Sequence, residues 1–85
     1  MDIQTVLSDL KLNGKVIPVV GGDVNQTYRI KTDQRAYFLK IHPNVKKDFF
    51  EAEVDGLKEL ATFVRVPDTY MLGETSEGAY LLMEW

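Results

Sequence analysis

Lys40 and Glu53 are the two residues of this chain whose types and places ask for a chemical explanation. Lys40 lies inside Arg35-Ala-Tyr-Phe-Leu-Lys-Ile-His-Pro43, a run apolar enough to be a buried strand. Desolvating an ammonium is costly unless a group of opposite charge goes with it. Further on, residues 47–63 have helical spacing. With Glu53 set at zero, Phe50 falls near 60°, Leu57 near 40°, Leu60 near −20° and Val64 near 20°, at about 100° per residue. Glu53 is therefore in the middle of the apolar stripe, whereas Glu51 faces water and Asp48, Asp55 and Lys58 lie off the stripe. Two ionisable groups point inward, one on a strand and one on a helix behind it. Each answers the other's burial problem.

Two readings of such a pair are open. It can be a structural ion pair, or two amphipathic side chains reaching out of a shallow core. It can also be part of a phosphate site. Gly21-Gly22 comes earlier in the chain, between the first two predicted strands. Glycines let backbone approach a ligand, and the free amides of such a turn can hold phosphate oxygens. A glycine turn alone is ordinary hairpin chemistry. A glycine loop, a strand lysine and a helix glutamate in that order are more specific. That layout holds the phosphates of ATP, with the lysine on the phosphates and the glutamate orienting the lysine.

The elements that must position these groups follow from the pattern. Ile3, Val6, Leu7 and Leu10 predict a short amphipathic helix over 2–11, ending near Asn13-Gly14. Residues 15–20 read as a strand whose Pro18 requires an edge or a bulge. Residues 25–31 and 36–41 alternate around the polar turn Thr32-Asp33-Gln34, as a hairpin does. The helix over 47–63 ends before Pro67. Residues 69–73 and 79–85 are two more strands around a polar turn. The expected fold class is α+β: a five-stranded antiparallel sheet, one main packed helix and a short N-terminal helix.

Composition bounds the function. An 85-residue chain makes one small domain, with 45% hydrophobic and 27% charged residues. It has no cysteine, so no disulfide or thiolate metal site supports it. A net charge of −3 without a basic block argues against nucleic acid. No apolar run reaches the ~18 residues of a membrane span, and the N-terminus lacks the pattern of a signal peptide. His42, the single histidine, has no second ligand to make a metal site and reads as a strand-end surface residue. Tyr37, Phe49, Phe50 and Phe63 are spaced as core residues, and Lys46-Lys47 read as a solvated pair. The apolar ending 79–85 reads as the front part of a longer protein.

The segments 21–30, 37–41, 50–57, 65–67 and 81–84 resemble the fructosamine kinases, which are similar to the aminoglycoside phosphotransferases and share the protein-kinase-like fold. The resemblance begins near Val16 and covers only the N-terminal lobe. It implies an ATP-dependent, cytoplasmic enzyme that phosphorylates a sugar hydroxyl of a ketoamine, on a small molecule or a protein. It implies that Lys40 contacts the α- and β-phosphates, that Glu53 partners it, and that Gly21, Gly22, Asp23, Val24 and Asn25 form the nucleotide-covering loop. Phe38 would lie over the adenine, Tyr28 would be core, and Met83, Glu84 and Trp85 would begin a hinge whose backbone meets the adenine edge. Some relatives carry cysteine where this chain has Asp23, so thiol control there is excluded; Asp23 is expected to bond its own loop as an Asx turn. The family's His-Gly-Asp catalytic loop and the ligands of its Mg2+ belong to a C-terminal lobe outside these 85 residues. The chain by itself is then expected to be inactive. A lobe of an aminoglycoside- or choline-type kinase, and a non-enzymatic α+β binding domain, are the rival readings.

Overall fold

The computed structural model describes residues 2–19 and 26–85. The elements run α1 (Ile3–Leu10), β1 (Lys15–Pro18), β2 (Gln26–Lys31), β3 (Ala36–Pro43), α2 (Asp48–Leu60), β4 (Thr69–Thr75) and β5 (Gly78–Glu84). The five strands form one sheet in the order β1-β2-β3-β5-β4, every neighbouring pair antiparallel. This is the expected α+β architecture. Pro18 sits on edge strand β1, where its missing N–H leaves no ladder bond unmade. The β2–β3 hairpin is closed by Thr32, whose hydroxyl accepts from the Gln34 and Arg35 amides and donates to the Arg35 carbonyl.

Side-chain alternation divides the core between the two faces of the sheet. On one face Val6 and Leu7 of α1 meet Ile30, Leu39, Ile41, Tyr80 and Leu82. On the other, Phe50 of α2 meets Ala79, Leu81 and Met83, with Phe38, Val54, Leu57 and Leu72 packed around them. β5 is covered on both sides, which is why its sequence is a continuous apolar run rather than an alternating one. Tyr28 belongs to the α1 face, as core.

The ends of α1 agree with the expected span 2–11, whereas α2 is shorter than its pattern. Asp2 caps α1 by accepting from the Gln4 amide at 3.0 Å. Lys11 then closes it in the left-handed region, φ 56°, with the Leu12 amide bonded back to the Leu7 carbonyl. The helix thus stops before Asn13-Gly14. α2 has no side-chain cap at Lys47; Asp48 and Glu51 in its first turn complement the dipole instead. α2 also ends at Leu60, earlier than the apolar spacing predicts. Leu60, Phe63 and Val64 are exposed, Phe63 to 82%, because the sheet face below α2 is filled by Phe50, Val54 and Leu57. Phe49 is likewise half out of the core, stacked on His42 at 4.6 Å. His42 is half-buried beneath it, so it is not a free surface residue.

Gly73 of β4 lies opposite Tyr80 of β5, and a Cβ there would overlap the Tyr80 phenol. The missing side chain lets Tyr80 cross β4 and donate its hydroxyl to Asp9, tying α1 to β5. Burial first, and then the Asp9 hydrogen bond, pushes the Tyr80 phenol up to about 12. The folded state therefore prefers the protonated phenol. Its contribution is complete below the ordinary tyrosine range near 10 and is lost as pH rises toward about 12. We predict that Gly73→Ala destabilises by roughly 1–3 kcal/mol in denaturant titrations, the usual range for overpacking, and much less in a Tyr80→Leu background. Between pH 10 and about 12 the parent should lose more stability than a Tyr80→Phe variant.

Candidate functional site

β3 carries the candidate lysine, and its period-two alternation decides what that lysine faces. Tyr37, Leu39 and Ile41 turn to the α1 side, leaving Phe38 and Lys40 on the α2 side. Glu53 comes down from α2 onto the same face, and Lys40 Nζ donates to Glu53 Oε2 at 2.9 Å. The two side chains keep 21% and 34% of their exposure. The pair is partly wet. It therefore avoids the large desolvation penalty of a sealed ion pair, and its net contribution to stability is about 0–1 kcal/mol.

The pair borders a cleft of about 440 Å³ lined by Phe38, Lys40, Pro67, Met83, Glu84 and Trp85. That volume lies in the range of small-molecule sites, as does the mixture of apolar walls with one charged group. Phe38 and Met83 are register partners on β3 and β5 and form the sheet side of the cleft. Trp85 rests against Phe38 with ring centroids 5.9 Å apart. A larger hollow of about 630 Å³ lies along α1, walled mainly by short polar side chains such as Asp2, Thr5 and Ser8, on the far side of the sheet from the pair. It has no aromatic residue in its lining and does not include Lys40.

The structure thus brings Lys40, Phe38, Met83, Glu84 and Trp85 to one cleft and pairs Glu53 with its charged end. Gly21, Gly22, Asp23, Val24 and Asn25 lie outside the described residues. The chain on either side of them is fixed: the Val19 amide donates to the Thr27 carbonyl at 2.9 Å, and the Thr27 hydroxyl donates to the Val19 carbonyl at 3.0 Å. Thr27 is the register partner of Lys40, so the first residues of β2 lie beside the lysine.

Glu84 enters the site differently from its neighbours. Its amide donates to the Asp68 carbonyl at 2.7 Å, its Oε1 accepts from the Asp68 amide at 3.0 Å, and its Oε2 meets the Arg65 guanidinium at 2.7 Å. The Asp68 amide and then Arg65 hold its carboxyl below the usual range, and Glu84 in turn raises Arg65. Its side chain is committed to the segment that leads from α2 into β4. Nothing in the local pattern signals this contact, because it depends on how that segment turns back to the end of β5.

Two further residues escaped the pattern reading. Pro67 stood out only as a helix terminator, yet it lines the cleft. Arg29 of β2 pairs in register with Phe38, which puts it on the Lys40 face. Its guanidinium carbon lies 4.9 Å from the Trp85 ring centroid, while its Nε is buried with no hydrogen-bond partner among the described residues. A cation–π contact contributes about 0.5–2 kcal/mol, and an orphaned buried donor costs about 1–3 kcal/mol. The two effects are of similar size, so the stack adds little net stability. The detectable signal was the alternation of β2, which sends Tyr28 to the core and Arg29 to the other face.

Fold and site together describe a sheet-and-helix lobe with a paired lysine at the end of an apolar cleft. The family model for fructosamine kinase matches residues 2–85, and the chain belongs to the fructosamine kinase family. It is 94% identical over its full length to a probable ketoamine kinase of Enterococcus faecium, of which it covers 31%, and 37% identical over 82 residues to a probable ketoamine kinase of Lactiplantibacillus plantarum, of which it covers 28%. The chain therefore spans about a third of the length of these relatives. A crystal structure of a Haemophilus somnus protein assigned as a fructosamine-3-kinase superposes with a TM-score of 0.74 at 24% identity, over 96% of this chain and 30% of that one. This likeness shows that the fold is shared.

Because the pair is partly exposed, a double-mutant cycle of Lys40→Met and Glu53→Gln should give a coupling below about 1 kcal/mol in denaturant titrations. A coupling of several kcal/mol would make the pair chiefly structural.

Proposed function

We propose that this chain is the nucleotide-holding lobe of a ketoamine kinase, an enzyme that moves the γ-phosphoryl group of ATP to a sugar hydroxyl of a ketoamine carried by a small amine or a protein. The observation that supports it is the 2.9 Å Lys40–Glu53 pair at one end of a cleft walled by Phe38, Met83 and Trp85. In this reading the adenine enters the apolar part and the phosphates extend toward Lys40. Phosphoryl transfer asks little covalent chemistry of a protein; it asks for positioning and for positive charge where negative charge accumulates. The Lys40 ammonium supplies charge at the α- and β-phosphates. Glu53 restrains that ammonium, so the lysine is already placed before the nucleotide arrives. Residues 21–25 cover the phosphates with backbone amides, and the backbone of residues 83–85 meets the adenine edge through groups other than the Glu84 amide, which is bonded to Asp68.

Mg2+ bound together with the nucleotide would supply positive charge to offset that of the phosphates. Among the described residues no three histidine, aspartate or glutamate side chains come together as a metal site. In this reading the metal ligands and the base that activates the acceptor hydroxyl belong to the part of the protein beyond these 85 residues. The lobe binds and orients; alone it does not catalyse. No helix of the described residues is long and apolar enough to cross a membrane, which accords with the cytoplasmic site of action we assign to the enzyme.

The test is steady-state kinetics of the full-length protein with ATP and a panel of fructosyl-amines. Lys40→Ala should lower kcat/KM for ATP by on the order of 100-fold, the loss typical of one preorganised charge. Its thermal midpoint should stay close to that of the parent. Undiminished turnover in that variant would sink the assignment of the site, and absence of transfer to every ketoamine would sink the acceptor class.

A further inference from the structure

Arg29 is the residue of the cleft face that stability does not explain. Its charged end stacks on Trp85 at 4.9 Å, yet its Nε–H is taken out of water with no acceptor among the described residues. Most buried donors of native structures are satisfied, and an orphan requires a reason. Arginine also presents its donors in a rigid fork, so Nε–H can change direction only if the whole guanidinium moves off Trp85.

The sheet register supplies the reason. Thr27 lies opposite Lys40 and Arg29 opposite Phe38, so two steps along β2 and β3 separate a charged end of the cleft face from an aromatic end. Two residues of strand span roughly 7 Å. If phosphates are held at Lys40, the base and ribose fall at Phe38, and these carry ring nitrogens and hydroxyl oxygens that accept hydrogen bonds. Trp85, which covers this end, is 55% exposed and is held by side-chain stacking on Phe38 and Arg29.

We propose that Arg29 is a nucleotide-binding residue: when a purine nucleotide enters the cleft, Arg29 gives its unpaired Nε–H to an acceptor of the base-and-ribose end, while its stack on Trp85 keeps the indole as a wall of the cleft. This rests on the nucleotide-site reading above and adds the contact that recognises the end of the ligand away from the phosphates.

The experiment is calorimetric titration of the full-length protein with ADP and, separately, with inorganic tripolyphosphate, both in the presence of magnesium. Arg29→Met removes both contacts. Arg29→Lys keeps a cation near the indole but lacks the Nε donor, and it carries the test if the methionine variant folds poorly. Both variants should weaken ADP binding about tenfold and leave tripolyphosphate binding unchanged, with KM for ATP raised and kcat within about twofold. ADP binding equal to the parent in Arg29→Lys would overturn the donor role, and equal losses for ADP and tripolyphosphate would overturn the placement at the base end. Lys40→Ala serves as the reference. Full turnover in that variant would mean that the site reading itself fails; lost turnover there, with parent-like ADP binding in Arg29→Lys, would mean that only the role of Arg29 fails.

Discussion

The alternation of β3 is the constraint on which the rest of the structure depends. A strand in the middle of a sheet must satisfy two faces at once, and each residue can serve only one of them. Tyr37, Leu39 and Ile41 close the core under α1, which leaves Phe38 and Lys40 for the opposite face. A one-residue slip would bury the Lys40 ammonium under Val6 and Leu7 and push Leu39 into the cleft. The core beneath α1 therefore fixes the register that aims the lysine. Stability and site geometry are set by the same pleat.

α2 then has to bring a carboxylate to the lysine without sealing it from water. Phe50 anchors the helix fully buried, and Val54 and Leu57 continue the contact for about two turns. Glu53, on the same helix, keeps 34% of its side-chain exposure while it meets Lys40, which lines the cleft. A deeper position would make the pair costly to desolvate, and a more exposed one would leave the ammonium free among its rotamers. At intermediate depth the pair contributes little net stability but still restricts where the charge sits. That suits the ligand-meeting role proposed for Lys40.

Much of this was legible in the chain because two periods carry it. Alternation located Lys40 and Phe38, and the 3.6-residue period located Glu53 and the helix that bears it. What the periods could not give is where an element stops being covered. Leu60, Phe63 and Val64 continue the apolar stripe, yet they are exposed because α2 runs out of sheet to cover; periodicity records a face, not the extent of the surface opposite it. The Arg65–Glu84–Asp68 contacts were illegible for another reason, since they join segments whose meeting depends on an irregular turn. Arg29 was readable in principle. Tyr28 was identified as core, and the next residue of a strand must face the other way.

Arg29 also shows how a local deficit can be informative. A side chain placed for stability would turn its donors to a carbonyl or to water, and strand edges offer both. Here the guanidinium carbon instead lies 4.9 Å from the ring centroid of an indole that is itself half-exposed, and its Nε–H is buried with no acceptor among the described residues. The neighbouring pair shows the contrast: Lys40 spends its charge on Glu53 and has water at hand, so its site is close to balanced without a ligand. The two cations of this face thus differ in kind. Lys40 has a protein partner for its charge, whereas one donor of Arg29 has no acceptor among the described residues, and Trp85, which lines the cleft, lies against its guanidinium.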